Sequence, residues 1–88
     1  MQGTLTHARN AVMDWDITVT AKAEKGETIS SVEVRVNGSS VCSEEFNPPI
    51  SQWNRVLTQQ GQYPGENKTE FTVADSNGNE SVYDDEWQ

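Results

Sequence analysis

Apolar and polar residues alternate along three stretches of this chain, and each reads as a strand with one dry face. Across residues 16–24, Ile17, Val19, Ala21 and Ala23 fall on one side, with Thr18, Thr20, Lys22 and Glu24 on the other. Val32, Val34 and Val36 alternate with Glu33 and Arg35, and Phe71 and Val73 share a side opposite Glu70 and Thr72. A period of two, rich in β-branched residues, is the pattern of half-buried strands. No window carries the stripe of an amphipathic helix.

Turn chemistry falls between the runs. Glu24-Lys25-Gly26-Glu27 can link two strands, and Asn37-Gly38 is a favoured two-residue hairpin turn because both residues tolerate positive φ. Tyr63-Pro64-Gly65 and Asn77-Gly78 supply further turns. Asn47-Pro48-Pro49 is barred from a central strand, since proline has no donor for the ladder. Strands are therefore expected at residues 4–12, 16–23, 30–36, 39–44, 52–59, 67–75 and 80–85. Short strands in this number predict an all-β sandwich of about seven antiparallel strands. Its expected core is Ile17, Val19, Ala21, Val32, Val34, Val36, Leu57, Phe71 and Val73, with Trp53 and Tyr83 in the core or at its edge.

Composition narrows the picture. Eighty-eight residues make a single domain, 1–88, with a modest core. A net charge of −8 and a pI near 4.3 argue against nucleic acid or an anionic membrane as partner. Cys42 is the only cysteine, so there is no intramolecular disulfide, and its expected place is that of a small buried hydrophobe. No stretch is long enough to insert in a membrane as a helix, and MQGTLTHARN lacks the apolar run of a signal peptide. An extracellular protein with this sequence would carry it as a piece of a longer chain. In isolation it is expected to be a monomer.

Three segments resemble a known family. ISSVEVRVNGSSV resembles the third strand and following turn of bacterial immunoglobulin-like modules. YPGENKTEFTVADSNGNESV resembles the last hairpin of bacterial immunoglobulin-like and fibronectin type III-like modules: a Pro-Gly turn, an alternating strand, Asp, Gly-Asn and a closing strand. DITVTAKA fits their second strand. The resemblance implies an immunoglobulin-like β-sandwich. It departs from antibody-type domains in having no cysteine pair and no tryptophan on the third strand, Trp53 lying on the fifth instead. It also implies a non-catalytic module of a bacterial surface or secreted protein. The role would be spacing, adhesion or binding a protein or polysaccharide partner, at the cell surface or outside the cell. Two alternatives accompany it: a carbohydrate-binding accessory domain of a secreted enzyme, and a weak calcium-binding module.

The calcium reading rests on DSNGNESVYDDE, residues 75–86. Set against an EF-hand loop, Asp75, Asn77 and Asn79 take the first, third and fifth positions and Glu86 the twelfth. The sixth position needs glycine and holds Glu80, and the preceding TEFTVA alternates as a strand. A hairpin turn and its outgoing strand is thus the expectation. Calcium is left to a weak site of clustered acids, Asp75 with Asp84, Asp85 and Glu86. No resident cofactor is expected. The sugar reading rests on Trp15 and Trp87, which lie outside the clearest alternating runs and could stack on a ring if exposed. Catalysis lacks a constellation. His7 is the sole histidine and is expected at the surface, and one histidine with one cysteine makes zinc improbable. Asn37, Asn67 and Asn79 begin Asn-X-Ser/Thr acceptors, relevant only in a eukaryotic secreted protein.

Overall fold

The computed structural model describes residues 1–12, 14–59 and 66–87. The alternating runs form β1 (Gln2–Arg9), β2 (Trp15–Lys22), β3 (Ile29–Val36), β4 (Ser39–Ile50), β5 (Gln52–Gln59), β6 (Asn67–Asp75) and β7 (Glu80–Trp87). Every pairing is antiparallel. One sheet has the order β1-β2-β5 and the other β4-β3-β6-β7. The fourth strand thus joins the third, whereas in constant-type antibody domains it lies on the first sheet. This is an immunoglobulin-like sandwich with no disulfide.

The core sits where the inward columns of the two sheets meet. Ile17, Val19 and Ala21 from β2 face Val32, Val34 and Val36 from β3 and Phe71 and Val73 from β6, all buried. Complete burial of side chains of this size stabilises by roughly 1.5–3 kcal/mol each. Leu57 is only half-buried because β5 is an edge strand with one neighbour. Ile29, Trp53 and Trp87 complete the buried cluster. The core expected from alternation omitted Ile29. A bulge between Ile29 and Ser31 puts Ile29 and Val32 on the same face at an odd spacing, and so hides it from a period-two reading.

Three strands differ from expectation by two residues or more. β1 is shifted toward the start of the chain, β7 runs two residues further to Trp87, and β4 continues past Glu44 to Ile50. β4 tolerates Pro48 and Pro49 because its outer side has no ladder to complete. The Asn37-Gly38 turn has positive φ at both residues, 53° and 84°, as a two-residue hairpin demands. The expected turn at Tyr63-Pro64-Gly65 lies outside the described residues.

β1 and β7 run side by side in the same direction on different sheets, Gly3 against Tyr83 and His7 against Asp85. The start of β1 pairs with the end of β2, Gln2 opposite Lys22. The end of β7 packs at the start of β2, where the Trp15 and Trp87 rings are 5.2 Å apart. The chain therefore enters at one end of a body 41 Å long and leaves at the other.

Candidate functional site

Two places carry the chemistry suggested by the sequence: the turn after β6 and the tryptophan end of the sandwich. At the turn, Asp75 closes the inward column of β6 and is buried. Its Oδ1 accepts the backbone N–H groups of Asn77 and Asn79, both at 2.9 Å. The Asp75 main chain closes the loop as well, its carbonyl accepting from Gly78 at 3.2 Å and its N–H donating to Asn79 at 2.8 Å. Gly78 has φ +87°. This is a three-residue hairpin loop with glycine in the left-handed position. The positive φ expected around Asn77-Gly78 falls on Gly78 alone. The Asn79 backbone N–H leads in holding the Asp75 carboxyl below the usual carboxylate range. It outweighs the burial that would raise it, and the Asn77 N–H adds to the lowering.

The hairpin expected for residues 75–86 is formed, and the EF-hand alignment of Asp75, Asn77, Asn79 and Glu86 is not. Glu86 pairs with Lys68 at the far end of the β6–β7 ladder. At roughly 3.3 Å per residue, the seven steps from Lys68 to Asp75 hold Asp75 and Glu86 about 23 Å apart. A twelve-residue loop around one ion is not formed, and the Asp75 oxygen it would use is already bonded to the loop's own amides. Asp84, Asp85 and Glu86 do not converge either, because neighbours on a strand point to opposite faces. Asp85 turns into the seam with β1, while Asp84 and Glu86 stand outward beside Glu70 and Lys68. Among the described residues no three acids, histidines or cysteines gather as a metal site.

At the other end, Trp87 is 2% exposed and its indole N–H donates to Thr69 Oγ1 at 2.8 Å. It offers no face to a sugar, which corrects the reading of Trp87 as an exposed platform. The extra two residues of β7 carry it into the core, and a buried indole N–H needs the acceptor that Thr69 supplies. Trp15 is half-buried between Trp87, the His7 ring at 5.4 Å and the Arg9 guanidinium 4.6 Å from its centroid. On the opposite face of β2, Asp16 Oδ1 accepts from Asn10 Nδ2 and Thr58 Oγ1 at 3.1 and 2.9 Å.

Sequence reading missed the roles of Arg9 and His7. His7 Nδ1 lies 2.6 Å from Asp85 Oδ2, tying β1 to β7. The signal was present in the parity of β1: Leu5 faces the core, so Gly3, His7 and Arg9 must share its side. Cys42 is half-buried on edge strand β4 against the core. Burial pushes its thiol pKa up; Arg55 opposes this and Glu44 adds to it, so the site favours the unreactive thiol over the thiolate. Of the Asn-X-Ser/Thr acceptors, Asn67 is buried and Asn37 is tied to it by a 2.8 Å hydrogen bond.

Residues 5–82 fit the profile of the family described as Bacterial Ig domain. The chain belongs to that family. Comparison with the curated proteins, and with the solved structures, finds no match. Membership accounts for the two-sheet architecture of this Ig domain.

Proposed function

We propose that this Ig domain is a non-catalytic spacer in a longer bacterial surface or secreted protein, holding neighbouring parts of the chain apart. The carrying observation is the path of the chain, which enters at one end of a 41 Å body and leaves at the other. The network at each end supports the same reading. The Asp75 carboxylate, the Trp87 indole and the His7–Asp85 pair are each directed at partners within the domain. Side chains committed internally stiffen a module and leave less free to grip a ligand.

Exchange within the parent protein tests the reading. Replacement of the domain by an unrelated sandwich of equal length should preserve the parent's activity at the cell surface, while deletion should impair it. Loss of activity on exchange would mean that a surface of the domain recognises a partner. An NMR titration with cell-wall and plant polysaccharides addresses the sugar-binding alternative, for which saturable shifts at Trp15 would be the mark. For calcium, the proposal is at most weak attraction to the acidic outer face. Calorimetry in about 0.15 M salt, where exposed charges are largely screened, should show no saturable heat.

A further inference from the structure

Two Asn-Gly pairs lie in exposed hairpin turns, Asn37-Gly38 and Asn77-Gly78. Such a pair is chemically fragile. The glycine nitrogen can reach the asparagine side-chain carbonyl, and the missing Cβ leaves the backbone free to adopt the approach. By sequence the two are equivalent, and both asparagines are at the surface. Their hydrogen bonds separate them.

Asn37 has its side chain locked at both ends. Nδ2 donates to Oδ1 of the buried Asn67 at 2.8 Å, and Oδ1 accepts the Lys68 backbone N–H at 2.9 Å. Rotating Cγ toward the Gly38 nitrogen breaks both. Asn77 is held differently: its backbone N–H is engaged, to Asp75, while its side chain makes no hydrogen bond among the described residues. The attacking Gly78 nitrogen is restrained only by its bond to the Asp75 carbonyl, at 3.2 Å the upper limit for such a bond.

We propose that Asn77 is a deamidation site of the folded domain and that Asn37 is protected. The Gly78 nitrogen gives up its proton to solvent and attacks Asn77 Cγ. A new N–Cγ bond forms, the Cγ–Nδ2 bond breaks, and Nδ2 leaves with its two hydrogens as ammonia, taking one proton from water in place of the one Gly78 gave up. Water then opens the five-membered imide at Cγ to give aspartate, or at the main-chain carbonyl to give isoaspartate. Overall one water enters and one ammonia departs, with no oxidant or reductant. Either product places a second carboxylate beside Asp75. The isoaspartyl form also lengthens the backbone by one methylene inside the loop whose amides Asp75 holds.

The test is to age the whole domain at mildly alkaline pH, folded and in denaturant, and to follow both sites by tryptic peptide mass spectrometry. Cleavage after Arg35, Arg55 and Lys68 places Asn37 and Asn77 on different peptides. In the folded domain Asn77 should deamidate about tenfold or more faster than Asn37, the scale set by breaking two ordinary hydrogen bonds. In denaturant the two rates should converge. Equal rates in the folded domain, a faster Asn37, or an unchanged Asn77 under conditions that deamidate the denatured chain would each overturn the proposal.

Discussion

Where β5 passes β4, Arg55 reaches Glu44 at 2.8 Å and lies 5.5 Å from the centroid of Trp53. Where β1 passes β7 on the opposite side of the sandwich, His7 meets Asp85 at 2.6 Å and packs edge-on against Trp15. Both open seams thus join two sheets with a nitrogen-bearing side chain, a carboxylate and a tryptophan. They differ in what lies beneath. Under the first, Trp53 stacks on Phe71 at 5.9 Å, and the ion pair above it is well exposed. Under the second, Trp87 is buried with its donor satisfied by Thr69, and Tyr83 lies directly against the backbone of Gly3. Exposed ion pairs contribute little and buried aromatic area a great deal. Similar surface chemistry therefore conceals unequal seams, the β1–β7 side resting on packing and close approach.

The largest expected effect tests that inequality. Trp87→Ala should cost roughly 3–5 kcal/mol, by loss of a buried indole and of the partner of Thr69. Denaturant unfolding checks it, and a loss below about 1 kcal/mol would mean the seam does not depend on this packing. Next comes Gly3→Ala, where an added Cβ would lie 2.5 Å from two Tyr83 ring carbons. The strain should cost about 1–3 kcal/mol in thermal melts. In a Tyr83→Ala background most of that penalty should vanish, since the ring is the obstacle.

On the other seam, a double-mutant cycle of Arg55→Ala and Glu44→Ala should return a coupling of only about 0.2–1 kcal/mol, lower in high salt. A coupling as large as the Trp87 effect would reverse the comparison. The smallest change at neutral pH is expected from Asp75→Asn, which keeps an acceptor for the loop amides and removes the charge. Acid sharpens the contrast. The folded Asp75 carboxyl titrates below the usual range, so its contribution is complete above about pH 4 and is lost as pH falls through the folded value. The stability gap between the natural domain and Asp75→Asn should therefore close on acidification. A gap that widens toward low pH would contradict the assignment.

Much of this architecture was legible because period-two patterning reports burial directly. Val32, Val34, Phe71 and Val73 declare their face, and that face is the core. Patterning failed where the ladder slips or ends. Ile29 is hidden by its bulge, Leu57 is less covered than a central-strand residue, and β4 outruns its prolines because it lies at an edge. The candidate sites were read less well, since ligand spacing in a sequence presumes a loop. Asp75 and Glu86 match a calcium pattern by position, but an extended ladder carries them to opposite ends. Trp87 looked peripheral because it lies outside the clearest alternating runs, whereas Thr69 gives its indole a buried acceptor.

The parallel course of β1 and β7 has a mechanical consequence. Among the described residues the backbone ladder of β1 is with β2 alone and that of β7 with β6 alone, each along its full length. Tension applied at the two ends of the body pulls these strands lengthwise past their neighbours. The rungs from Gln2–Lys22 to Arg9–Trp15 are then strained together, as are those from Asn67–Trp87 to Ala74–Glu80. A ladder loaded in this direction must yield many bonds at once, whereas one peeled from its end yields them singly. A pull along the long axis therefore loads both terminal ladders in shear rather than peeling them.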